Sequence, residues 1–259
     1  MRTVAITLAL LAGAAFVPAA LAAPPSGQDT LVGLTSSIGP AISKPGGPSR
    51  SMGLTVGTTF RSPAPNQVFR PQTLTKAEIL FSNGAIVNSK LFPGCNVSKL
   101  IRARGNRKVC PKGSHIGSGK AIGKAGDTDN PLVQPLTVDV YVGKPGKNLI
   151  FYLRSSRPIS INQAIVAPLV PVKSHFYAWK LTLKVPQTLQ LPLPGVPASV
   201  TDFNVTVKGT VKRHGRKRGF VETSLCPPGA QVPINGRFTF ADGAVQTLNS
   251  GIVCGGKLP

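Results

Sequence analysis

Carboxylates are scarce in this sequence. Asp and Glu number 8 among 259 residues, against 30 Lys and Arg. A glycosidase needs two carboxyls facing each other across a cleft, and so short a supply argues against one. Asp127 and Asp129 share a Gly/Asn/Pro loop without further acidic ligands nearby. A turn is therefore expected there rather than a Ca²⁺ site. Histidines are only His115, His175 and His214, and the four cysteines contain no C-x-x-C pair. That spacing excludes the common zinc patterns. No G-x-S-x-G, H-E-x-x-H or Walker A motif occurs. In Gly117-Ser-Gly-Lys-Ala-Ile-Gly123 an Ala follows the Lys where a phosphate loop would place Ser or Thr for Mg²⁺. That stretch is expected as a glycine-rich turn into a strand. Aromatics make up 6%, so base stacking and sequence-specific nucleic-acid reading lack their side chains. No long apolar run follows the first residues, which excludes a later membrane-spanning helix.

What is present begins with the leader. Arg2, an apolar run from Val4 to Val17, Pro18 and Ala20-Leu21-Ala22 form a secretory signal peptide over residues 1–22. Cleavage there takes away Arg2 and lowers the formal charge from +22 to +21. Export to an oxidising compartment makes the cysteines disulfide partners. Of the three pairings, sequence proximity favours Cys95–Cys110 and Cys226–Cys254. Each closed loop stabilises by about 3–4 kcal/mol in the chain-entropy account.

Residues 23–51, rich in Pro, Gly and Ser, are expected as a flexible arm without a fold of its own. From residue 52 to 259 strand signals recur. Leu136, Val138, Val140 and Val142 alternate with polar neighbours, as do Trp179 to Val185 and Phe203 to Val211. Period-two alternation sets one face on a core and one in water. Val142 to Asn148 and Asp242-Gly243 read as hairpin turns. No amphipathic helix is evident. The expected fold is all-β: an antiparallel β-sandwich, immunoglobulin-like or jelly-roll-like. Pro192, Pro194 and Pro197 cluster near residues 190–198, which marks either a sub-boundary between two tightly joined halves or a crossover between the two sheets of a single sandwich.

Two basic clusters are the strongest functional signal. The first is Lys208, Lys212, Arg213, Arg216, Lys217 and Arg218, with His214 among them, expected at a hairpin tip with Gly215 in its turn. The second is Lys99, Arg102, Arg104, Arg107, Lys108 and Lys112, in or just beyond the Cys95–Cys110 loop. A field of this sign favours polyanions such as anionic cell-wall polymers or polysaccharides.

Several stretches carry a resemblance. Glu78-Ile-Leu-Phe-Ser-Asn-Gly84, Phe92-Pro-Gly-Cys95 and Cys110 to Gly119 are followed by Leu225-Cys-Pro227, Asp242-Gly243 and Cys254. Together they resemble secreted, two-disulfide, β-rich proteins of high-GC Gram-positive bacteria, a group with no known activity. The resemblance implies export, a bacterial origin and a β fold, and transfers no active site. The expectation is thus a secreted or wall-associated, non-catalytic protein without cofactor or metal, attaching electrostatically to anionic surfaces. Two alternatives stand beside it. One is a hydrolase, for which Ser114, His115 and His175 are formal triad members. The other is an envelope assembly or adhesion module that pairs through exposed strands or the N-terminal arm.

Overall fold

The computed structural model describes residues 25–42, 48–63 and 69–255. The signal peptide expected over residues 1–22 lies outside the described residues. Fifteen strands follow one another: β1 (Leu31–Gly39), β2 (Arg50–Arg61), β3 (Leu74–Ser82), β4 (Ile86–Val87), β5 (His115–Ala125), β6 (Leu132–Val142), β7 (Asn148–Ser155), β8 (Ile161–Pro171), β9 (Tyr177–Lys184), β10 (Ala198–Val207), β11 (Thr210–Arg213), β12 (Arg216–Gly219), β13 (Val221–Thr223), β14 (Gln231–Phe240) and β15 (Val245–Cys254). Two short helices interrupt them, α1 (Val97–Arg102) and α2 (Gln187–Gln190).

Eleven strands form one closed ring, β1-β15-β14-β3-β9-β8-β7-β6-β5-β10-β2, because β2 pairs again with β1. Strands β13 and β4 extend the sheet beyond β2, and β11 pairs only with β12. Every neighbour in the ring is antiparallel except β1 and β15, which run parallel from Ser36↔Ile252 to Ile38↔Cys254. The architecture is therefore a β-barrel, and the sandwich expected from the sequence is corrected. Alternation reports one apolar face per strand. It does not distinguish two facing sheets from one sheet closed on itself. The closing strand comes from the segment expected to be a flexible arm. Residues 31–39 carry Val32, Leu34, Ser36 and Ile38 on one side, and Leu34, Ser36 and Ile38 are buried. The ring is narrowest at two seams, where β1 meets β15 over Ser36–Ile38 and β8 meets β9 over Leu169–Pro171.

The lumen takes the apolar face of each strand. Val138, Val140, Phe151, Ile165, Leu181, Val205, Ile234 and Phe238 belong to one buried cluster. Each side chain of this kind contributes about 1.5–3 kcal/mol when fully buried. Phe60 meets Phe238 edge to face with ring centroids 5.3 Å apart. The outer face carries charge on β3 and β9, where Glu78 pairs with Lys76 at 3.3 Å and with Lys180 at 3.7 Å, while Val133 of β6 and Val166 and Val170 of β8 are exposed apolar residues. An apolar lumen is the reverse of the polar interior of a membrane-spanning barrel. Among the described residues no helix is long and apolar enough to cross a membrane. Glycines 117 and 119 lie within β5 rather than in a turn, since a Cβ at either would strike the β10 backbone. The Pro192–Pro197 segment links β9 to β10 within the same barrel, with a bridge between Leu193 and Val196.

Both expected disulfides are present, Cys95–Cys110 and Cys226–Cys254. The first closes a loop laid on the outer wall of β6, β7 and β8. Its helix α1 starts at Asn96, whose side chain accepts a bond from Lys99 N. Leu100 of α1 is fully buried in a second small core with Cys95, Tyr141, Ile150 and Tyr152. Six residues held by a disulfide are too few to show helical periodicity in the sequence.

Candidate functional site

The two ends of the barrel differ in charge. At one end β2, β5, β7, β9 and β14 begin, and the described residues of its connections are 40–42, 48–49, 83–114, 143–147, 172–176 and 208–230. They carry Lys90, Lys112, Lys144, Lys147, Lys173 and Lys208, besides the hairpin cations. Glu222 is the one acid in these connections among the described residues. At the opposite end, residues 25–30, 126–131 and 241–244 hold Asp29, Asp127, Asp129 and Asp242, and the cations are Arg70 and Arg157. There Arg70 is buried and donates to the Gly126 carbonyl at 2.9 Å and to Ser199 Oγ at 3.2 Å. Burial lowers its pKa, against the opposing pull of Asp127.

The hairpin of β11 and β12 is the most exposed part of the cationic end. Arg213 pairs with Arg216 across a two-residue turn, His214 and Gly215, at φ 49° and 72°. Both central residues are left-handed, as such a turn requires, and glycine allows this without strain. Lys212, Arg216 and Lys217 are exposed. Two of the expected cations hold the hairpin instead. Arg213 donates twice to the Leu91 carbonyl, at 3.0 and 2.7 Å. Arg218 forks onto Glu222, whose carboxylate also accepts Gly219 N at 2.8 Å. Burial would raise the Glu222 carboxyl, but the bonds from Arg218 and Gly219 outweigh it and hold it below the usual range. The same pairing raises Arg218.

Gly113 packs against Val211, which sets Lys112 beside the hairpin. Gly146 of the β6–β7 turn lies against the Lys90 side chain, so Lys144 and Lys147 join the same end. Sequence reasoning missed Lys90, Lys144 and Lys147 because Lys90 stands in one connection and Lys144 and Lys147 in another, both far in sequence from the hairpin. A recess of about 400 Å³ opens here, lined by Asn88, Lys90, Gly146, Trp179 and Arg218 among others. Trp179 is the only tryptophan of the chain.

Apart from Lys112, the second expected cluster does not gather with the first. Lys99, Arg102, Arg104 and Lys108 are exposed along the loop that runs down the outer wall. Arg107 turns in and bonds to Asp139, a carboxylate only 3% exposed. Asp139 also meets His115 Nε2 at 3.1 Å and Arg154 at 3.4 Å. Burial would raise its pKa, but hydrogen bonds from His115 and Arg107 prevail and lower it. Beside it Tyr141 Oη is buried without a hydrogen-bond partner among the described residues. Burial and the Asp139 charge push that phenol up to about 12.

His115 and Asp139 form two parts of a triad, but the formal serine is turned away. Ser114 is buried and donates its hydroxyl to the Pro111 carbonyl at 2.7 Å. His175 lies in the exposed β8–β9 connection, its carbonyl accepting from Asn83 Nδ2. Asp127 and Asp129 gather no further acid, and no group of three metal-ligating side chains occurs among the described residues.

The barrel encloses a cavity of about 230 Å³ with an almost wholly apolar lining. Its walls include Val56, Phe60, Ile79, Leu136, Phe151 and Val205. No family model, curated protein or solved structure matches the chain.

Proposed function

We propose that this is a secreted or wall-associated, non-catalytic barrel that attaches electrostatically to anionic polymers through its cationic end. The observation that carries the reading is the segregation of charge. Among the described residues, cations from four connections share one end with a single acid, and most of the remaining acids stand at the other. Such a distribution orients the molecule in the field of a polyanion. The exposed cations of the hairpin are long, solvated side chains with no Phe, Tyr or Trp between Thr210 and Gly219, which suits contact with repeating negative charge rather than base reading. Two disulfides are consistent with a non-cytoplasmic location, and the leader-like residues 1–22 support export.

The test is retention on a sulfated polysaccharide at several salt concentrations, with Trp179 fluorescence as a second readout. Attachment by counterion release weakens linearly in log–log form as salt rises. The variant to use is Lys212→Ser, Arg216→Ser and Lys217→Ser together. Arg213 and Arg218 are left in place because they hold the hairpin to the barrel. Retention that ignores salt, or that the triple variant leaves unchanged, contradicts the proposal.

A further inference from the structure

We infer that the barrel lumen is a binding site for a single-chain apolar ligand, an acyl chain being the chemistry that fits. This inference stands apart from the attachment proposed above, because it uses the interior and not the cationic end.

Protein interiors are close-packed and rarely leave voids larger than a water molecule. This one leaves about 230 Å³, more than the roughly 150 Å³ at which a dry engineered cavity takes up benzene. The reason is geometric. About eight strands make a barrel whose own side chains fill it or hold one small ligand. Here eleven strands close the ring. Small residues keep the space open, since Ala77 and Ala121 face it where β-branched or aromatic side chains would fit. Val56 and Phe203 line the cavity yet are only half-buried.

The lining also limits the ligand. Its polar side chains, Thr58, Ser82, Lys124, Gln134, Ser199 and Thr223, lie toward the ends. At one end Gln134 is occupied by Ser155 Oγ, the Arg157 carbonyl and Ile159 N. A ligand that needs several polar partners along its length finds few. The cavity runs from Phe220 and Leu225 at the cationic end to Ile159 and Leu189 at the other. A small volume drawn out along the axis suits an unbranched chain and excludes a fused-ring sterol.

The test titrates the full mature chain with a fluorescent polyene fatty acid in about 0.5 M NaCl, where surface charge is screened within a few ångströms. The expected result is saturation at one probe per chain and a raised Tm, since a ligand of the native state stabilises it. Palmitate and a single-chain phospholipid are then used as displacers. Displacement by the first identifies a free acid as the source, and by the second a lipid-borne chain. Ala77→Leu and Ala121→Leu, made separately, fill the tube. Each should bind the probe at least about tenfold more weakly, through loss of buried methylenes. Their unliganded Tm should match or exceed that of the parent. Absence of saturable binding, failure of both displacers, or unchanged affinity in a folded Leu variant overturns the inference.

Discussion

The disulfide loop and the β11–β12 hairpin both carry runs of Lys and Arg, but the barrel holds them differently. The loop is fastened by apolar burial. Leu100 is fully buried against Tyr141 and Tyr152, Cys95 is bonded to Cys110, and Arg107 reaches a buried carboxylate. The hairpin is fastened by polar contacts at its base and has its own two-stranded sheet. Its tip residues touch little and remain exposed. The difference separates two uses of positive charge. In the loop an arginine compensates a buried acid, while at the hairpin tip the cations stay available to an outside partner.

This contrast can be broken most forcefully at the loop. Replacing Cys95 and Cys110 together by Ser should cost about 3 kcal/mol, the closure entropy of a loop of this size, read by denaturant unfolding. Leu100→Ala should cost about 2 kcal/mol or more through the cavity left against Tyr152. A cost near zero for either would mean the loop is not fastened as described.

Alkali gives a third handle on the same wall. The Tyr141 phenol has a raised pKa, so its contribution is intact below the unfolded value near 10. It is lost as pH climbs toward about 12. Chemical denaturation across that range should show falling stability in the parent and a flatter limb in Tyr141→Phe. At neutral pH that variant should be as stable as the parent or more so, because the hydroxyl removed has no partner. At the acid side the sign reverses. Asp139 and Glu222 have lowered pKa values, so their contribution is present above about pH 4 and is lost as pH falls through their folded values. Asp139→Asn and Glu222→Gln should each flatten the acid limb of unfolding.

The smallest stability effect is expected at the hairpin tip. The triple change of Lys212, Arg216 and Lys217 to Ser should move unfolding by no more than about 0.5 kcal/mol, as for exposed surface sites. A large loss would show that the tip is part of the fold.

Much of the barrel was legible strand by strand. The inward residues Leu136 to Val142 and Leu181 to Val185, both disulfides and the places of the hairpin turns follow from period, spacing and turn chemistry, although of these turns only His214-Gly215 has two residues. Closure was not legible. It depends on β1 pairing in parallel with β15, about as far apart as the chain allows, and β1 lies in a stretch whose composition suggests a linker. The cationic end was half legible. Lys212 to Arg218 are contiguous, whereas Lys90, Lys144, Lys147 and Lys173 are brought to the same end only by the ring. The roles of Arg107, Arg213 and Arg218 as internal partners depend on Asp139, Leu91 and Glu222, which no spacing rule connects to them. The lumen cavity depends on the strand count and so could not be read from any one segment.

The salt dependence of binding to a sulfated polysaccharide decides the central claim most directly. It compares the parent, the hairpin triple variant, and a loop variant with Lys99, Arg102 and Arg104 changed to Ser. In a plot of log affinity against log salt, each lost contact should reduce the slope by about one. The account predicts a reduction of about two to three for the hairpin variant and a smaller one for the loop variant. Equal slopes for the hairpin variant and the parent would contradict it.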